Sequence, residues 1–339
     1  MKIMYSIQKK RLSNFELLRI VAMLLVMFGH SHIRLASIEK EEHSIMLFVD
    51  SMSACIATMG VGVFVAISGW FGIKFKLKGL LIYIFQILFI LWGIYGAAIY
   101  FDVTEFDTEG VKTSLGFYDG YWFVISYLGL YIISPILNSF IENASKKSFQ
   151  TVLLSLMLFQ CYFSWITVWF DYYNGYSIVL FSVIYLIAAY FRKYPIEWVE
   201  KNSFGLLTLI IFTMAIIATV SLLGFENSAR QIRDDNPLVI LAALLLLFCF
   251  KNMKFQSRII NWLAASCFTV YLIHYSPFVY PYFMWIIKSL YNQYNGIGYV
   301  ILLFVFLFGT YICCTIIDQV RILAWNRFTL LVSNKKEAC

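Results

Sequence analysis

Long apolar runs constrain the fold of this chain more than any other feature. A run of about 20 apolar residues crosses the roughly 30 Å hydrocarbon layer of a bilayer as a helix. Of the 339 residues 61% are hydrophobic and 13% are charged, whereas an ordinary soluble domain has about 25% charged residues. The sequence therefore predicts an all-α, polytopic helical membrane protein. Its ten candidate spans are residues 15–33, 48–72, 80–100, 121–141, 149–170, 175–191, 204–223, 238–250, 261–287 and 297–320.

The number of spans depends on the eighth candidate, which is short enough to be a buried or interfacial segment instead. Placing both termini in the cytoplasm puts most Lys and Arg residues in the inner loops, as the positive-inside rule requires. The loops on both sides of the eighth candidate follow this bias, so ten spans fit better than nine. The outer segments then contain Arg34, Lys40, Lys112, Arg230, Arg233 and Lys288.

The loops between the candidate spans are too short for a separate soluble domain, so residues 1–339 are predicted to form a single integral-membrane domain. No cleavable signal peptide is expected, because the first apolar run is long and contains Arg19. The net charge of +7 is explained by orientation in the bilayer, so no nucleic-acid partner is expected. The cysteines lie mostly in apolar runs, and neither a metal site nor a disulfide framework is expected.

Ionisable residues inside the spans are few, and each costs at least about 2.5 kcal/mol at the centre of a bilayer. Each is therefore a candidate functional residue. Two of them, Asp50 and Asp318, lie near span ends where a carboxylate reaches water, so a structural role is expected for both. The full set is Glu16, Arg19, His30, Asp50, His274 and Asp318.

The first span concentrates three of these residues. Arg19 and His30 are eleven residues apart, which at about 100° per residue places both on one face of a helix. About 16 Å of helix axis separates them, so a ligand that links them must be elongated. Glu16, one turn before Arg19, is spaced to hold the guanidinium in an ion pair. Alternatively, Arg19 reaches the inner headgroups and His30 is a hydrogen-bonded histidine near the outer interface.

Four motifs follow one another in a recognisable order. The first helix reads NFELLRIVAMLLVMFGH, with Arg19 and His30 separated by ten residues. Further motifs are GVFVAISG at 62–69, YWFVISYLGLYIISP at 121–135 and SCFTVYLIH at 266–274. Together they resemble the membrane acyltransferase type 3 family, over essentially the whole chain. The chain departs from the commoner family pattern after the second helix, where lysines replace the usual arginines and lack the bidentate fork for phosphate.

The resemblance implies transfer of an acyl group, usually acetyl from cytoplasmic acetyl-CoA, to a hydroxyl of a surface polysaccharide or lipid-linked sugar. It implies an O-acyltransferase in the bacterial cytoplasmic (inner) membrane. An imidazole suits removal of the hydroxyl proton at neutral pH, which makes His30 the expected general base. Arg19 and Glu16 are expected to belong to the catalytic group with His30, and Arg19 is also expected to hold the donor. Lys74, Lys76 and Lys78 either add positive potential for the donor's phosphates or are plain positive-inside residues.

Three residues are candidate contacts to the acceptor sugar, namely Tyr121, Trp122 and His274. Tyr and Trp at a helix start also form interfacial belts, and His274 also suits a core histidine that faces the bundle. Pro277 and Pro281 are expected to bend the ninth span just beyond His274, which is how a cavity at membrane depth is often opened.

A rival hypothesis is a polysaccharide or lipid exporter or flippase, because a helical bundle with a sparse polar interior suits either function. Inverted-repeat transporters tend to have Gly- or Pro-broken helices at matching positions in two halves. The sequence contains no such matching pair, and its ionisable residues concentrate on one helix. The enzyme hypothesis is therefore favoured.

Overall fold

The structure is a computed structural model that describes residues 11–36, 44–116, 118–166, 177–222, 233–294 and 296–337. Within these ranges the chain forms helices and no β-strand, as the apolar runs predict. A 3-10 turn (Asp119–Tyr121) precedes α5, and a π-helical turn (Cys161–Ile166) continues α6. The helices are α1 (Ser13–Ala36), α2 (Ser44–Phe71), α3 (Leu77–Tyr100), α4 (Thr108–Ser114), α5 (Trp122–Asn143), α6 (Lys146–Gln160), α7 (Ile178–Lys193), α8 (Glu197–Lys201), α9 (Ser203–Leu222), α10 (Pro237–Lys251), α11 (Arg258–Ala264), α12 (Cys267–His274), α13 (Tyr280–Gln293) and α14 (Gly296–Glu337).

Six helical segments of the described residues are long and apolar enough to cross a membrane. They are Ser13–Ser31, Ser51–Phe71, Leu77–Tyr100, Trp122–Asn143, Lys146–Ile166 and Ile297–Arg327. Two shorter apolar segments, Gly205–Val220 and Pro237–Lys251, coincide with the predicted seventh and eighth spans. The fold is thus that of a multi-pass helical membrane protein, while the count of ten spans with cytoplasmic termini stays a prediction.

The ninth span at 261–287 is predicted to be one helix that Pro277 and Pro281 bend beyond His274, whereas the structure interrupts it completely. This part of the chain forms three short helices, α11, α12 and α13, of which α12 ends at His274. Proline is the main cause, because it has no backbone N–H to donate and disfavours helix for the residue before it. Pro277 lies between α12 and α13, and Pro281 is in the first turn of α13. His274 is consequently the last residue of a helix that ends inside the protein.

The start of α1 is tied to the region around α11. The Ser13 hydroxyl donates to Asn261 Oδ1 at 2.9 Å and accepts the Ser257 backbone N–H at 2.9 Å. The Asn14 amide donates to the Phe250 carbonyl oxygen at 3.1 Å. These contacts fix the rotation of α1, and with it the direction in which Arg19 and His30 point.

Buried apolar side chains form two separate cores. The first core consists of residues from α2, α6, α7, α9 and α10, and the second of residues from α3, α11, α12, α13 and α14. α1 and α5 contribute to both; for example, α1 places Leu18 in the first core and Met27 in the second. Val61, Phe64 and Phe123 pack against both cores. The boundary between the cores therefore runs along α1, α2 and the start of α5.

α2 approaches its neighbours closely through glycines. A Cβ on Gly69 would lie 2.7 Å from the Cα of Tyr185 in α7, and one on Gly60 would lie 2.8 Å from the Ala22 carbonyl oxygen in α1. Both distances are shorter than a real Cβ tolerates, so these positions require glycine. Small residues permit the same close approach between helices in membranes generally. The contacts hold α2 against α1, where it supplies one wall of the site.

The turn between α2 and α3 is held by a polar triad. The Tyr185 hydroxyl accepts the Ile73 backbone N–H at 2.8 Å and donates to Asn138 Oδ1 at 2.6 Å. The Asn138 amide in turn donates to the Ile73 carbonyl oxygen at 2.7 Å. The residue that follows Ile73 is Lys74, so the triad fixes the backbone from which this lysine projects.

Candidate active site

α1 places Arg19 and His30 on the wall of one cavity of about 300 Å³. The expectation that both residues face the same way along the helix is thereby confirmed. The cavity lies at the boundary between the two cores, because Val61, Phe64 and Phe123 line it as well. Other side chains on its wall are Arg11, Ser68, Tyr83, Gln86, Trp122 and Tyr271.

One end of the cavity is positively charged. Arg19 donates to Glu16 Oε1 at 2.9 Å, which confirms the predicted ion pair. The other Glu16 oxygen lies 4.0 Å from an Arg11 guanidinium nitrogen, and Arg11 also donates to the Asn261 carbonyl oxygen at 3.1 Å. Glu16 is only 5% exposed, so it serves to hold the two arginines rather than to meet a ligand. Two guanidinium groups around one carboxylate leave an excess positive charge.

His30 forms a close pair with His274. Nδ1 of His30 lies 2.9 Å from Nε2 of His274, although the two residues are 244 positions apart in the sequence. The Nδ1 atom of His274 lies 2.7 Å from the Val270 carbonyl oxygen, one turn earlier in α12. His274 is 0% exposed and does not line the cavity, whereas His30 does. The structure therefore places His274 behind His30, away from the position expected of a residue that contacts the acceptor.

Two tyrosines fix the orientation of His30. The Tyr275 ring stacks on the imidazole with 4.0 Å between ring centroids and an angle of 22° between the planes. The Tyr280 hydroxyl donates to the His30 backbone carbonyl oxygen at 3.0 Å. Both tyrosines come from the segment between α12 and the start of α13, so the break after His274 brings them to the site.

A second cavity of about 370 Å³ adjoins the first, because Arg19, Ser68, Tyr83, Gln86 and Tyr127 line both. Among the lysines expected to hold the donor, Lys74 lines this second cavity. Lys76 and Lys78 are exposed, and neither is among the residues that line the two cavities. The structure thus brings one of the three lysines to the site.

The two aromatic residues predicted at the start of α5 have different surroundings. Trp122 lines the first cavity and packs against Phe123 and Phe181. Tyr121 is 0% exposed, and its hydroxyl donates to the Leu272 carbonyl oxygen in α12 at 3.2 Å. Tyr121 therefore supports α12 from within the protein, and the structure does not bring it to a cavity wall.

The expectation that Asp318 reaches water is wrong. Asp318 is 0% exposed and forms a bidentate pair with Arg321, at 2.5 Å and 2.9 Å. It also accepts from the Thr269 hydroxyl at 2.7 Å, and the oxygen of Thr269 accepts from the Gln86 amide at 2.8 Å. This chain of contacts joins α14, α12 and α3 and ends at the wall of both cavities. The side chain of Asp50 lies outside the described residues.

Sequence reasoning missed Gln86, Thr269, Arg11 and Tyr275 as parts of the site. Arg321 follows Asp318 by three residues, so their ion pair was readable from helical spacing. Gln86 is a polar residue in the apolar run of the third span, which is a usable signal too. Nothing local marks Thr269 or Tyr275, since each acts through residues that are distant in the sequence.

These features define a multi-pass helical membrane protein with a polar cavity that extends from a pair of arginines to a histidine. The family model for the acyltransferase domain matches residues 12–318, so the chain belongs to the acyltransferase 3 family and is a membrane acyltransferase. The matched range includes Arg19, His30 and His274. No curated protein and no solved structure matches the chain.

Proposed function

We propose that the protein moves an acetyl group from cytoplasmic acetyl-CoA to a hydroxyl of a surface polysaccharide or lipid-linked sugar. In this proposal it acts in the bacterial cytoplasmic membrane, and His30 is the general base. The observation that carries the proposal is the single cavity whose wall contains both Arg19 and His30. The family supports acyl transfer, and the shape and charge of the cavity support this donor.

The charged end of the cavity suits a donor that carries phosphate. Guanidinium groups bind phosphate oxygens in bidentate fashion, and Arg11 and Arg19 both line this end. Lys74 adds positive charge on the adjoining cavity. Since about 16 Å of α1 separates Arg19 from His30, the donor must be elongated. The pantetheine arm of coenzyme A has that form, with phosphates at one end and the thioester at the other.

His30 supports the chemistry at the opposite end. Attack of the sugar hydroxyl on the thioester carbonyl forms a C–O bond and breaks the C–S bond. The imidazole takes the hydroxyl proton and returns it to the departing sulfur, so the products are an acetyl ester and free coenzyme A. General-base catalysis of this kind contributes about 10²- to 10⁴-fold to the rate.

Trp122 supports a sugar as the acceptor. Its side chain is partly buried on the cavity wall between the two cores. An aromatic face with a polar edge suits the apolar face of a pyranose ring, while the hydroxyls of the sugar remain able to form hydrogen bonds. Tyr271 lines the same cavity and donates its hydroxyl proton to the Gly120 carbonyl oxygen at 2.7 Å.

The experiment that tests the proposal uses inverted membrane vesicles supplied with acetyl-labelled acetyl-CoA. Alkali releases acetyl esters, so we expect alkali-labile label on glycan or lipid in wild-type vesicles and none with His30→Ala. Lys76→Ala is the matched control, because Lys76 is exposed and outside both cavities. This variant is expected to retain the label at equal protein content.

Two results would contradict the proposal. If vesicles with His30→Ala were labelled as strongly as wild type, His30 would not be the general base. Absence of label in wild-type vesicles that contain the acceptor would contradict acetyl transfer, and export of the glycan would then be measured for the rival function.

A further inference from the structure

We infer that His274 is a positioning residue that keeps a proton on Nδ1 of His30, so that the lone pair used as base is on Nε2. The inference rests on the proposed function, in which His30 is the general base. It goes further because it assigns the base to one nitrogen atom and gives a reason for the second histidine.

The hydrogen-bond directions follow from the Val270 carbonyl oxygen. A carbonyl oxygen only accepts, so Nδ1 of His274, 2.7 Å away, must carry a proton and donate. A neutral imidazole has one protonated nitrogen, so Nε2 of His274 carries a lone pair. This atom lies 2.9 Å from Nδ1 of His30, which must then be the donor. The lone pair of neutral His30 is consequently on Nε2.

The argument requires that His274 is neutral, and its surroundings favour that state. The residue is 0% exposed, and a charge without a partner is costly in such a place. The side chains in hydrogen-bond or ring contact with it are the imidazole of His30 and the rings of Tyr271, Tyr275 and Phe283, and none of these groups is a carboxylate. A cationic His274 would donate from both nitrogens and would occupy the lone pair of His30 at Nδ1.

The same pair assists the proton transfer itself. When Nε2 of His30 takes the proton of the acceptor hydroxyl, the ring becomes an imidazolium whose Nδ1–H remains bonded to His274. That hydrogen bond strengthens as its donor becomes charged. The Tyr275 ring, stacked at 4.0 Å, presents a π face to the cation. The proton then leaves from Nε2 to the departing sulfur, and His274 keeps its own proton throughout.

The direct test is the ¹⁵N spectrum of histidine-labelled protein in lipid nanodiscs without substrate. The His30 signals are identified by their loss in His30→Ala. We expect Nδ1 of His30 to be protonated and Nε2 unprotonated. His274→Met removes the acceptor, so His30 is expected to shift towards the Nε2-protonated form that free imidazole side chains prefer. His32→Gln, which removes another histidine of α1, controls for loss of a histidine signal.

The kinetic test compares two replacements of His274. In His274→Gln the side-chain oxygen can still accept from Nδ1 of His30, whereas the methionine side chain in His274→Met is apolar and only a weak acceptor. We expect kcat within about tenfold of wild type for glutamine and about 100-fold lower for methionine, with the KM for donor unchanged in both. A residue needed only for packing would instead tolerate methionine at least as well as glutamine.

Two outcomes overturn the inference. One is a wild-type spectrum in which His30 is protonated on Nε2, or one that His274→Met leaves unchanged. The other is an equal loss of kcat in the glutamine and methionine variants, when thermal unfolding measurements show that both variants are folded. The spectrum is recorded without turnover, so failure of this inference can be distinguished from failure of the proposed function. The proposed function fails if His30→Ala retains full activity, and this result does not depend on which nitrogen of His30 is protonated.

Discussion

The two cores of the protein differ in what they bury. In the first core α2 packs against α7, α9 and α10 through apolar side chains and glycines. In the second core α12 and α14 bury His274, Asp318 and Arg321. The other buried charged side chains of the described residues are Glu16 in α1 and Asp235, which lies just before α10. Asp235 pairs with Arg233 outside the helices, so among the helices beyond α1 the buried imidazole and charged groups lie in the second core, on the side that supports the proposed chemistry.

Within the second core, two polar clusters on α12 differ from each other. Thr269 joins the charged Asp318–Arg321 pair, in which every oxygen of the carboxylate has a donor. His274 joins His30 in a pair of imidazoles, and the Val270 backbone carbonyl oxygen accepts from His274. A compensated ion pair fixes structure, whereas a neutral imidazole pair can accept one more proton. In the proposed function, this difference separates a stabilising cluster from a reactive one.

The largest expected effect is that of His30→Gln on turnover. We expect kcat to fall by about 10²- to 10⁴-fold, because the general base is lost. The temperature of unfolding in detergent is expected to stay close to wild type, since the imidazole is only partly buried. Activity is measured as alkali-labile label per folded protein. If activity fell only in proportion to the amount of folded protein, the His30–His274 pair would be a stabilising cluster like the Asp318–Arg321 pair.

The next effect is that of Asp318→Asn on stability. Breaking a buried ion pair from one side costs about 3–5 kcal/mol, because the partner charge stays buried without compensation. Denaturant unfolding in detergent measures this cost. Arg321→Leu is expected to cost a similar amount, and the double variant less than the sum of the two. Simple additivity of the two costs would show that the pair does not act as a unit.

In the first core, a single methyl group is expected to destabilise by about 1–3 kcal/mol. Gly69→Ala places a Cβ against the backbone of Tyr185, while at Gly93 a Cβ meets nothing within 4 Å. Gly93→Ala is therefore the matched control and is expected to be neutral or slightly stabilising. Thermal unfolding separates the two, and kcat per folded molecule is expected to be normal in both. A reduced kcat in folded Gly69→Ala protein would mean that packing in the first core also affects the rate of the reaction.

The smallest effect is expected at the lysines. Lys74→Ala should raise the KM for donor by about two- to fivefold, the size of a solvent-exposed charge interaction. The difference should shrink as ionic strength rises. Lys76→Ala, whose side chain lies outside both cavities, should leave KM unchanged. Equal increases in KM for Lys74→Ala and Lys76→Ala would indicate that the lysines act through the general positive potential of the surface and not through a contact at the cavity.

Much of the scaffold was predictable, because an apolar run and a helical repeat are local signals. Helices α1 to α3 begin and end within a few residues of the predicted spans. The Glu16–Arg19 pair and the shared face of Arg19 and His30 follow from helical periodicity alone. Pro277 and Pro281 predicted a bend just beyond His274, but the division into three helices did not follow, because hydropathy over 261–287 does not distinguish one helix from three.

The partners of the site residues were not predictable for a different reason. The His30–His274 contact joins positions 244 residues apart, and the Gln86–Thr269 contact joins positions 183 apart. Such contacts depend on the rotation of each helix within the bundle, which no local pattern encodes. Tyr121 illustrates the point: its position at a helix start suggested an interface, yet packing against α12 buries it completely.

Val61, Phe64 and Phe123 pack against both cores and line the cavity between them. In the proposed function, a donor molecule in that cavity contacts both cores at once and so links them. By mass action, binding to the folded state alone adds about 1.4 kcal/mol of stability for each tenfold rise in free ligand above its Kd. The concentration of the proposed donor and the stability of the contact between the two cores are then linked. We therefore expect the protein to be most stable when that donor is abundant.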